Sequence, residues 1–137
     1  MTVEEKIAFT LKEASQTLQF LKDDFHLIGS AALILSGIKI DKINDLDILT
    51  SDRDSDYLQA AWGNRRINEG ISTDANRFSS KFASYKFPVL DIEIMGALQV
   101  NRNGIWERLQ VTEDSIIVVG GFEIKNPTLR EQKRILQ

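Results

Sequence analysis

Two aspartates at alternate positions, Asp45 and Asp47, interrupt an otherwise apolar run that includes Leu46 and Ile48. In an extended strand, residues two apart lie on the same face, about 6–7 Å from each other. Two carboxylates so placed repel each other unless a cation lies between them, and their oxygens are ligands that Mg²⁺ and Mn²⁺ accept. The pair therefore predicts a divalent metal site. The alternative is a solvated strand face that happens to carry two acids.

A third carboxylate is available from the segment Val89–Met95, in which Asp91 and Glu93 alternate with apolar residues. If this segment is a strand beside the strand of Asp45 and Asp47, three carboxylates converge. Such a set can hold two metal ions about 3.5–4 Å apart. The alternation leaves open which acid is the third, because Asp91 and Glu93 face the same side, and it also leaves open a purely solvated face.

A Gly-Ser pair, Gly29-Ser30, follows a short apolar run and precedes the apolar segment Ala31–Leu35. Glycine lets the backbone approach a ligand closely, and the free N–H groups at the start of a helix attract phosphate oxygens. The pair is therefore a candidate phosphate cradle, with the Ser30 hydroxyl as an added donor. The alternative is an ordinary strand–helix turn, in which Ser30 serves as the helix N-cap.

The elements that must position these residues follow from hydrophobic periodicity and from turn signals. The predicted elements, in chain order, are a helix from Thr2 to about Leu21, a strand Phe25–Ile28, a helix Ala31–Ser36 ended by Gly37, a strand Asp45–Thr50, a helix from Ser55 to about Asn64, a strand from Phe78 or Lys81 to Phe87, a strand Val89–Met95, hairpins at Asn103-Gly104 and Gly120-Gly121, and a closing helix that starts at Asn126-Pro127. This order predicts one α/β (α+β) domain over residues 1–137. Its mixed sheet has helices mainly on one side, additional C-terminal hairpins and a closing helix.

Composition narrows the class of protein. The chain has 137 residues, a net charge of −3 and no cysteine, which excludes disulfides and thiolate zinc sites. A weakly acidic chain is not built to bind bulk nucleic acid through its overall field. The longest apolar run, Ala31–Leu35, is too short to cross a bilayer, and no signal peptide is visible, so we expect a cytoplasmic location and no membrane partner.

The remaining polar residues carry weaker signals. His26 is the only histidine, and a packed or solvated role is favoured over a catalytic one. Arg77, Lys81 and Lys86 are candidates for steering phosphate, although a solvated face explains them more simply. The composition of Glu69–Arg77 predicts a surface loop that gates the site.

Taken together, Gly29-Ser30 and the later Asp45-Leu46-Asp47-Ile48 resemble the Gly-Gly/Ser and Asp-x-Asp signature of the nucleotidyltransferase superfamily. The continuous pattern is most similar to small bacterial nucleotidyltransferase-like proteins, a group that includes abortive-infection toxins of toxin–antitoxin systems (AbiEii type). The segment Ile92–Gly96 resembles the third-acid strand of such proteins. The resemblance covers residues 27–96 and implies a nucleotidyltransferase-like fold.

The resemblance implies a reaction as well. A nucleoside monophosphate would pass from a nucleoside triphosphate such as ATP to a hydroxyl acceptor, with Mg²⁺ (or Mn²⁺) as cofactor. Gly29 and Ser30 would hold the β- and γ-phosphates. Many small relatives carry an arginine shortly before the Asp-x-Asp, and this chain has Lys39 and Lys42 there instead, so Lys42 is the candidate nucleotide-binding cation. The acceptor is a small molecule, a tRNA or a protein.

For the carboxylates, the resemblance implies that Asp45 and Asp47 bind the metal ions and that the third acid polarises the acceptor hydroxyl. Glu93 is favoured over Asp91 as that acid because of its Glu-Ile-Met-Gly context. The chain shows no separate substrate-binding helical domain. That departure is consistent with a homodimer, with a partner protein, or with a catalytically inactive nucleotide-binding or protein-interaction module on the same fold.

Overall fold

A computed structural model describes residues 1–67 and 78–136 of the chain. The predicted gating loop at Glu69–Arg77, and with it the phosphate-steering role considered for Arg77, lies outside the described residues. The described elements, in chain order, are α1 (Val3–Leu18), β1 (His26–Ile28), α2 (Gly29–Leu35), β2 (Asp45–Thr50), α3 (Asp52–Ala61), a short 3-10 helix (Gly63–Arg65), β3 (Arg66–Ile67), β4 (Phe78–Tyr85), β5 (Asp91–Arg102), β6 (Ile105–Arg108), β7 (Asp114–Val119), β8 (Phe122–Pro127) and α4 (Leu129–Leu136).

The strands form one mixed sheet in the order β3-β4-β5-β2-β1-β8-β7, and β6 also pairs with β5. Strand β2 pairs parallel with β5 and antiparallel with β1, and β1 pairs parallel with β8. The other pairings are antiparallel. The two late hairpins therefore extend the sheet, and the predicted mixed-sheet α/β class is confirmed. No helix among the described residues is long and apolar enough to cross a membrane.

Helix α1 forms where the sequence predicts it. Thr2 and Glu5 make a reciprocal capping box, in which each side chain accepts a hydrogen bond from the other residue's backbone N–H. Three residues of its apolar stripe, Ile7, Leu11 and Ala14, are fully buried against the sheet. The helix ends at Leu18, three residues before the predicted end at Leu21. Leu21 only packs against the rim of the core.

One face of the sheet carries the main hydrophobic core. Alternate residues of the two central strands, Leu46 and Ile48 on β2 and Ile92 and Ile94 on β5, are completely buried under α1, α2 and α3. Because side chains alternate along a strand, the residues between them point to the opposite face. The aspartates of β2 and the acids of β5 therefore share the face away from these three helices.

Strand β5 is longer than predicted. It continues past Met95 as one twelve-residue strand, where the sequence suggested an end at Met95 and a new strand near Ala97. A β-bulge interrupts the pairing of β5 with β4 near Ala97, whose φ is +51°. Ser79 of β4 lies opposite Gln99 and Lys81 lies opposite Gly96, so β5 has one more residue than β4 in this interval. One extra residue reverses the alternation of faces. Leu98 and Val100 therefore join Leu49 in a second, smaller core on the face that also carries the acids.

Two helix starts differ from their predictions. Helix α2 begins at Gly29 with Ile28 as its N-cap and no side-chain cap bond, so the predicted N-cap role of Ser30 is wrong. Helix α3 begins at Asp52 rather than Ser55, because the Ser51 hydroxyl accepts a hydrogen bond from the backbone N–H of Asp54.

The closing helix also starts later than predicted. Asn126-Pro127 ends strand β8 and does not open α4. The Thr128 hydroxyl caps the helix instead, since it accepts a hydrogen bond from the backbone N–H of Glu131. The Asn126 amide is buried and donates to the Ala32 carbonyl, which fixes β8 against α2.

Candidate metal centre

The parallel pairing of β2 with β5 brings the predicted acids together. In this register Asp45 lies opposite Asp91, and Asp47 lies opposite Glu93. One ligand oxygen each from Asp45, Asp47 and Glu93 lie within 4.8 Å of one another. Three oxygens at that spacing can share a hard divalent cation.

Asp91 lies outside this cluster, although it is on the same face. Its carboxylate oxygen Oδ1 lies 3.6 Å from the Nζ of Lys86, the residue that follows β4 by one position. Asp91 therefore has a cation of its own, whereas Glu93 points at two other carboxylates. Of the two acids that the sequence left open, the structure places Glu93 with the aspartates.

Burial and mutual repulsion dominate the electrostatics of the cluster. Burial raises the pKa of Asp47 to about 8, with further contributions from its hydrogen bond with Glu93 and from the charge of Asp45. Burial, followed by the charge of Glu93, raises the pKa of Asp45 to about 6. The metal-free cluster therefore retains at least one proton at neutral pH, because close carboxylates do not all ionise together.

Gly29, the first residue of α2 and the residue after β1, contacts the cluster. A Cβ atom at Gly29 would lie 2.6 Å from the Oδ2 of Asp47, and the φ of Gly29 is +69°. Both facts require glycine at this position. The turn thus brings its backbone directly onto the Asp47 carboxylate.

The donor set fits a divalent cation. The Oδ1 of Asp47 is buried, yet it accepts no hydrogen bond from any residue that the structure describes. Buried polar atoms normally have a partner. A buried carboxylate oxygen without one, within reach of two other carboxylates, is the chemistry expected of a Mg²⁺ or Mn²⁺ ligand.

The two other predicted nucleotide-binding residues lie on the surface. Ser30 is exposed in the first turn of α2, directly after Gly29. Lys42 is exposed in the segment that leads into β2 and forms no salt bridge with a carboxylate in the described parts of the chain. The structure thus brings Gly29 onto the cluster and leaves Lys42 three residues away from Asp45 along the chain.

The two described cations considered for phosphate steering, Lys81 and Lys86, have partners. Lys81 binds Asp52 and Asp56 of α3, with Nζ–Oδ1 distances of 3.0 and 2.7 Å. Lys81 therefore lies on the face of the sheet that carries helix α3, away from the acidic cluster. Lys86 alone of these described cations lies beside the acidic face. His26 is buried, and its Nε2 lies 2.6 Å from the Oδ2 of Asp114, in accord with the packed role favoured by the sequence.

One neighbour of the cluster escaped the sequence reasoning. Ser84 of β4 lies directly opposite Glu93 of β5 and is buried on the same face. Directly opposed residues of an antiparallel pair have their Cβ atoms within about 5.5 Å. No local signal marks Ser84, because its position beside Glu93 depends on the register of two strands.

Comparison with known proteins bears on the fold. No family model matches the chain, and no curated protein matches its sequence. The chain superposes on a candidate nucleotidyltransferase from Thermotoga maritima (TM1012) with a TM-score of 0.82 and 18% identity, over 99% of this chain and 85% of that one. An antigenic nucleotidyltransferase-like protein from Paracoccidioides brasiliensis gives a TM-score of 0.59 and 16% identity, over 98% and 66%. The chain therefore has a nucleotidyltransferase-like fold, and the predicted fold is confirmed.

Proposed function

We propose that this protein is a divalent-metal-dependent nucleotidyltransferase, which moves a nucleoside monophosphate from a nucleoside triphosphate to a hydroxyl acceptor. One observation carries the proposal: the oxygens of Asp45, Asp47 and Glu93 converge within 4.8 Å on adjacent strands of a nucleotidyltransferase-like fold. The Gly29 turn, which contacts Asp47, supports the same interpretation.

Asp45, Asp47 and Glu93 would hold the metal ions, Mg²⁺ or Mn²⁺. A bound ion of this kind neutralises phosphate charge and orients the triphosphate for in-line attack. The raised pKa values of Asp45 and Asp47 mean that these two carboxyls give up protons when they become ligands. Metal affinity should therefore rise with pH through the neutral range.

Glu93 would receive the proton of the acceptor hydroxyl. In this step the acceptor oxygen forms a bond to the α-phosphorus, the bond from that phosphorus to the bridging oxygen breaks, and pyrophosphate leaves with the electron pair. Asp91 is the poorer candidate, because its carboxylate already has Lys86 as a partner.

Gly29 and Ser30 would contact the β- and γ-phosphates. The absence of a Cβ at Gly29 leaves the backbone open beside Asp47, and the exposed Ser30 would donate its hydroxyl proton to a phosphate oxygen. Lys42 is also exposed and would provide a mobile positive charge at the edge of the site. The acceptor is a small molecule, a tRNA or a protein hydroxyl.

The test is ATP binding and transfer of its labelled α-phosphate in the presence of Mg²⁺. The double variant Asp45→Asn plus Asp47→Asn should lose transfer by at least about 100-fold, the magnitude typical of a lost electrostatic contribution to the transition state. Asp91→Asn is the matched control, because it removes an acid from the same face outside the cluster. It should retain activity within a few-fold.

Three outcomes separate the candidate functions. Transfer that depends on Asp45 and Asp47 supports the enzyme. Nucleotide binding that depends on them, without transfer to small molecules, tRNA or protein, supports the inactive nucleotide-binding module. Equal binding of metal and nucleotide by the wild type and the double variant contradicts both functions of this site.

A further inference from the structure

Glu93 lies between two strands on the acidic face of the sheet, the face that carries Asp45 and Asp47. On one side Glu93 is opposite Asp47 of β2, and on the other side it is opposite Ser84 of β4. Beyond Ser84 the row of opposed residues continues with Ile67 of β3. Side chains directly opposed across neighbouring strands lie on the same face of the sheet. Ser84 is therefore the polar neighbour of Glu93 on the side away from the two aspartates.

The position of the Ser84 side chain is fixed by its strand. The residues before and after it, Ala83 and Tyr85, are completely buried in the main core. From Lys81 to Tyr85 the pairing of β4 with β5 runs without a register shift. Because alternate residues of a strand point to opposite faces, Ser84 is held on the acidic face. Its Cβ lies within about 5.5 Å of the Glu93 Cβ, as in other directly opposed pairs, so its hydroxyl can reach the Glu93 carboxylate.

The Ser84 hydroxyl has no hydrogen-bond partner within residues 1–67 and 78–136, although Ser84 is only 8% exposed. Glu93, by contrast, forms hydrogen bonds with Asp45 and Asp47. The metal-free centre thus holds Glu93 towards the aspartates. The hydroxyl on the other side of Glu93 is available to a new partner.

Metal binding changes the hydrogen bonds that Glu93 can form. An ionised carboxylate accepts hydrogen bonds and donates none, so the bonds between Glu93 and the aspartates end when all three acids become ligands. Carboxylates that bind a metal ion are themselves held by hydrogen bonds from surrounding groups. The β2 side of Glu93 offers further carboxylates, and Lys86 forms its salt bridge with Asp91. Strand register therefore places the Ser84 hydroxyl as the donor beside Glu93.

We propose that Ser84 is a positioning residue of the metal centre, whose hydroxyl donates a hydrogen bond to the Glu93 carboxylate when a divalent ion is bound. This bond replaces those that Glu93 loses to the aspartates, and it fixes the orientation of the carboxylate. The inference rests on the proposed function, because it requires Asp45, Asp47 and Glu93 to be metal ligands. It predicts that the hydroxyl contributes to metal binding and not to the stability of the metal-free fold.

The test is titration of the full metal-free chain with Mn²⁺, in which free Mn²⁺ is measured by electron paramagnetic resonance. Ser84→Ala should weaken Mn²⁺ binding by ~10–100-fold, the effect typical of removing a hydrogen-bond partner of a metal ligand. Ser84→Thr keeps the hydroxyl on a residue that strands favour, and it should bind within ~3-fold of the wild type. Ser79→Ala is the matched control, because Ser79 is an exposed serine of the same strand, opposite Gln99. It should change the affinity less than ~2-fold.

Thermal unfolding separates a positioning role from a merely structural one. Without metal, the melting temperatures of Ser84→Ala and the wild type should agree within ~2 °C, because the substitution removes no hydrogen bond between described residues. With Mn²⁺ in excess over the wild-type dissociation constant, the melting temperature of the wild type should rise, and that of Ser84→Ala should rise much less.

Equal Mn²⁺ affinities of the wild type and Ser84→Ala would overturn the inference. A Ser84→Thr variant that binds as weakly as Ser84→Ala would do the same, and so would a metal-free Ser84→Ala that melts well below the wild type. The double variant Asp45→Asn plus Asp47→Asn distinguishes these failures from failure of the proposed function. If the double variant binds Mn²⁺ as tightly as the wild type, both proposals fail. If it loses binding while Ser84→Ala keeps it, only the inference about Ser84 fails.

Discussion

Replacing Asp47 by asparagine should stabilise the metal-free protein and remove most of its pH dependence above pH 5. Burial and the neighbouring carboxyls raise the pKa of Asp47 from its ordinary value of 3.8 to about 8. The folded chain therefore binds a proton that the unfolded chain releases. Between these two pKa values the free energy of unfolding falls as pH rises, by about 1.4 kcal/mol per pH unit for one such group.

The accumulated effect is large for a chain of this size. Over the interval from pH 4 to pH 8 the Asp47 carboxyl should lower the free energy of unfolding by roughly 3–5 kcal/mol. For 137 residues this corresponds to about 5 °C in melting temperature per pH unit. Asp45, whose pKa is raised to about 6, acts in the same direction up to that pH. Asparagine at position 47 keeps a donor for Glu93 without a charge, and the variant should melt about 10 °C higher than the wild type at pH 8.

The assay is thermal unfolding at several pH values from 5 to 8 in a chelating buffer, repeated with Mg²⁺. Mg²⁺ at ten times its dissociation constant should stabilise the wild type by about 1.4 kcal/mol and leave Asp47→Asn almost unchanged. Asp91→Asn is the control, since it lies on the same face outside the cluster. Parallel pH profiles for the wild type and Asp47→Asn, or a wild type that becomes more stable as pH rises, would refute the reasoning.

Two further substitutions test the packing around the site and the dependence of protein stability on pH in the acidic range. Gly29→Ala should lower the free energy of unfolding by about 2–4 kcal/mol, because the new Cβ combines a positive φ with a clash against Asp47. Gly37→Ala is the control, since Gly37 has a positive φ but open space around it. It should lower the free energy of unfolding by only about 1 kcal/mol in the same melting assay. Glu131→Gln should lose about 2 kcal/mol at pH 7, because the buried carboxylate accepts hydrogen bonds from the backbone and hydroxyl of Thr112. The hydrogen bond from the Arg134 guanidinium, followed by those from Thr112, lowers the pKa of Glu131 to about 2, so this difference should shrink as pH falls below about 4.5.

Elements with complete local signals were predicted with correct bounds or nearly so. The capping box of Thr2 and Glu5 starts α1 because both partners lie within one turn. The strand Asp45–Thr50 follows from an apolar run with aspartates at alternate positions, and the turn at Asn103-Gly104 follows from two residues that tolerate a left-handed backbone. In each case the information lies within six residues.

The predicted helix starts are wrong where two cap residues compete, or where a residue distant in the sequence forms the deciding hydrogen bond. Ser51 rather than Ser55 caps helix α3, because the Ser51 hydroxyl also donates a hydrogen bond to the Asp23 carboxylate, 28 residues away. Asn126 looked like the start of a helix, but its amide is held by the Ala32 carbonyl, 94 residues away. Local propensity cannot register partners at such separations, because they exist only once the sheet has formed.

The identity of the third acid likewise depends on contacts between residues that are distant in the sequence. Alternation shows that Asp91 and Glu93 share a face, but only strand register decides which of them lies beside Asp47. That register is set by the packing of the apolar residues between the acids against the helices. A shift of two residues would keep every face and pair Glu93 with Asp45 instead. The proposed metal centre is therefore a property of how β2 and β5 align, and any change in that alignment should be detected first as lost metal affinity rather than lost fold.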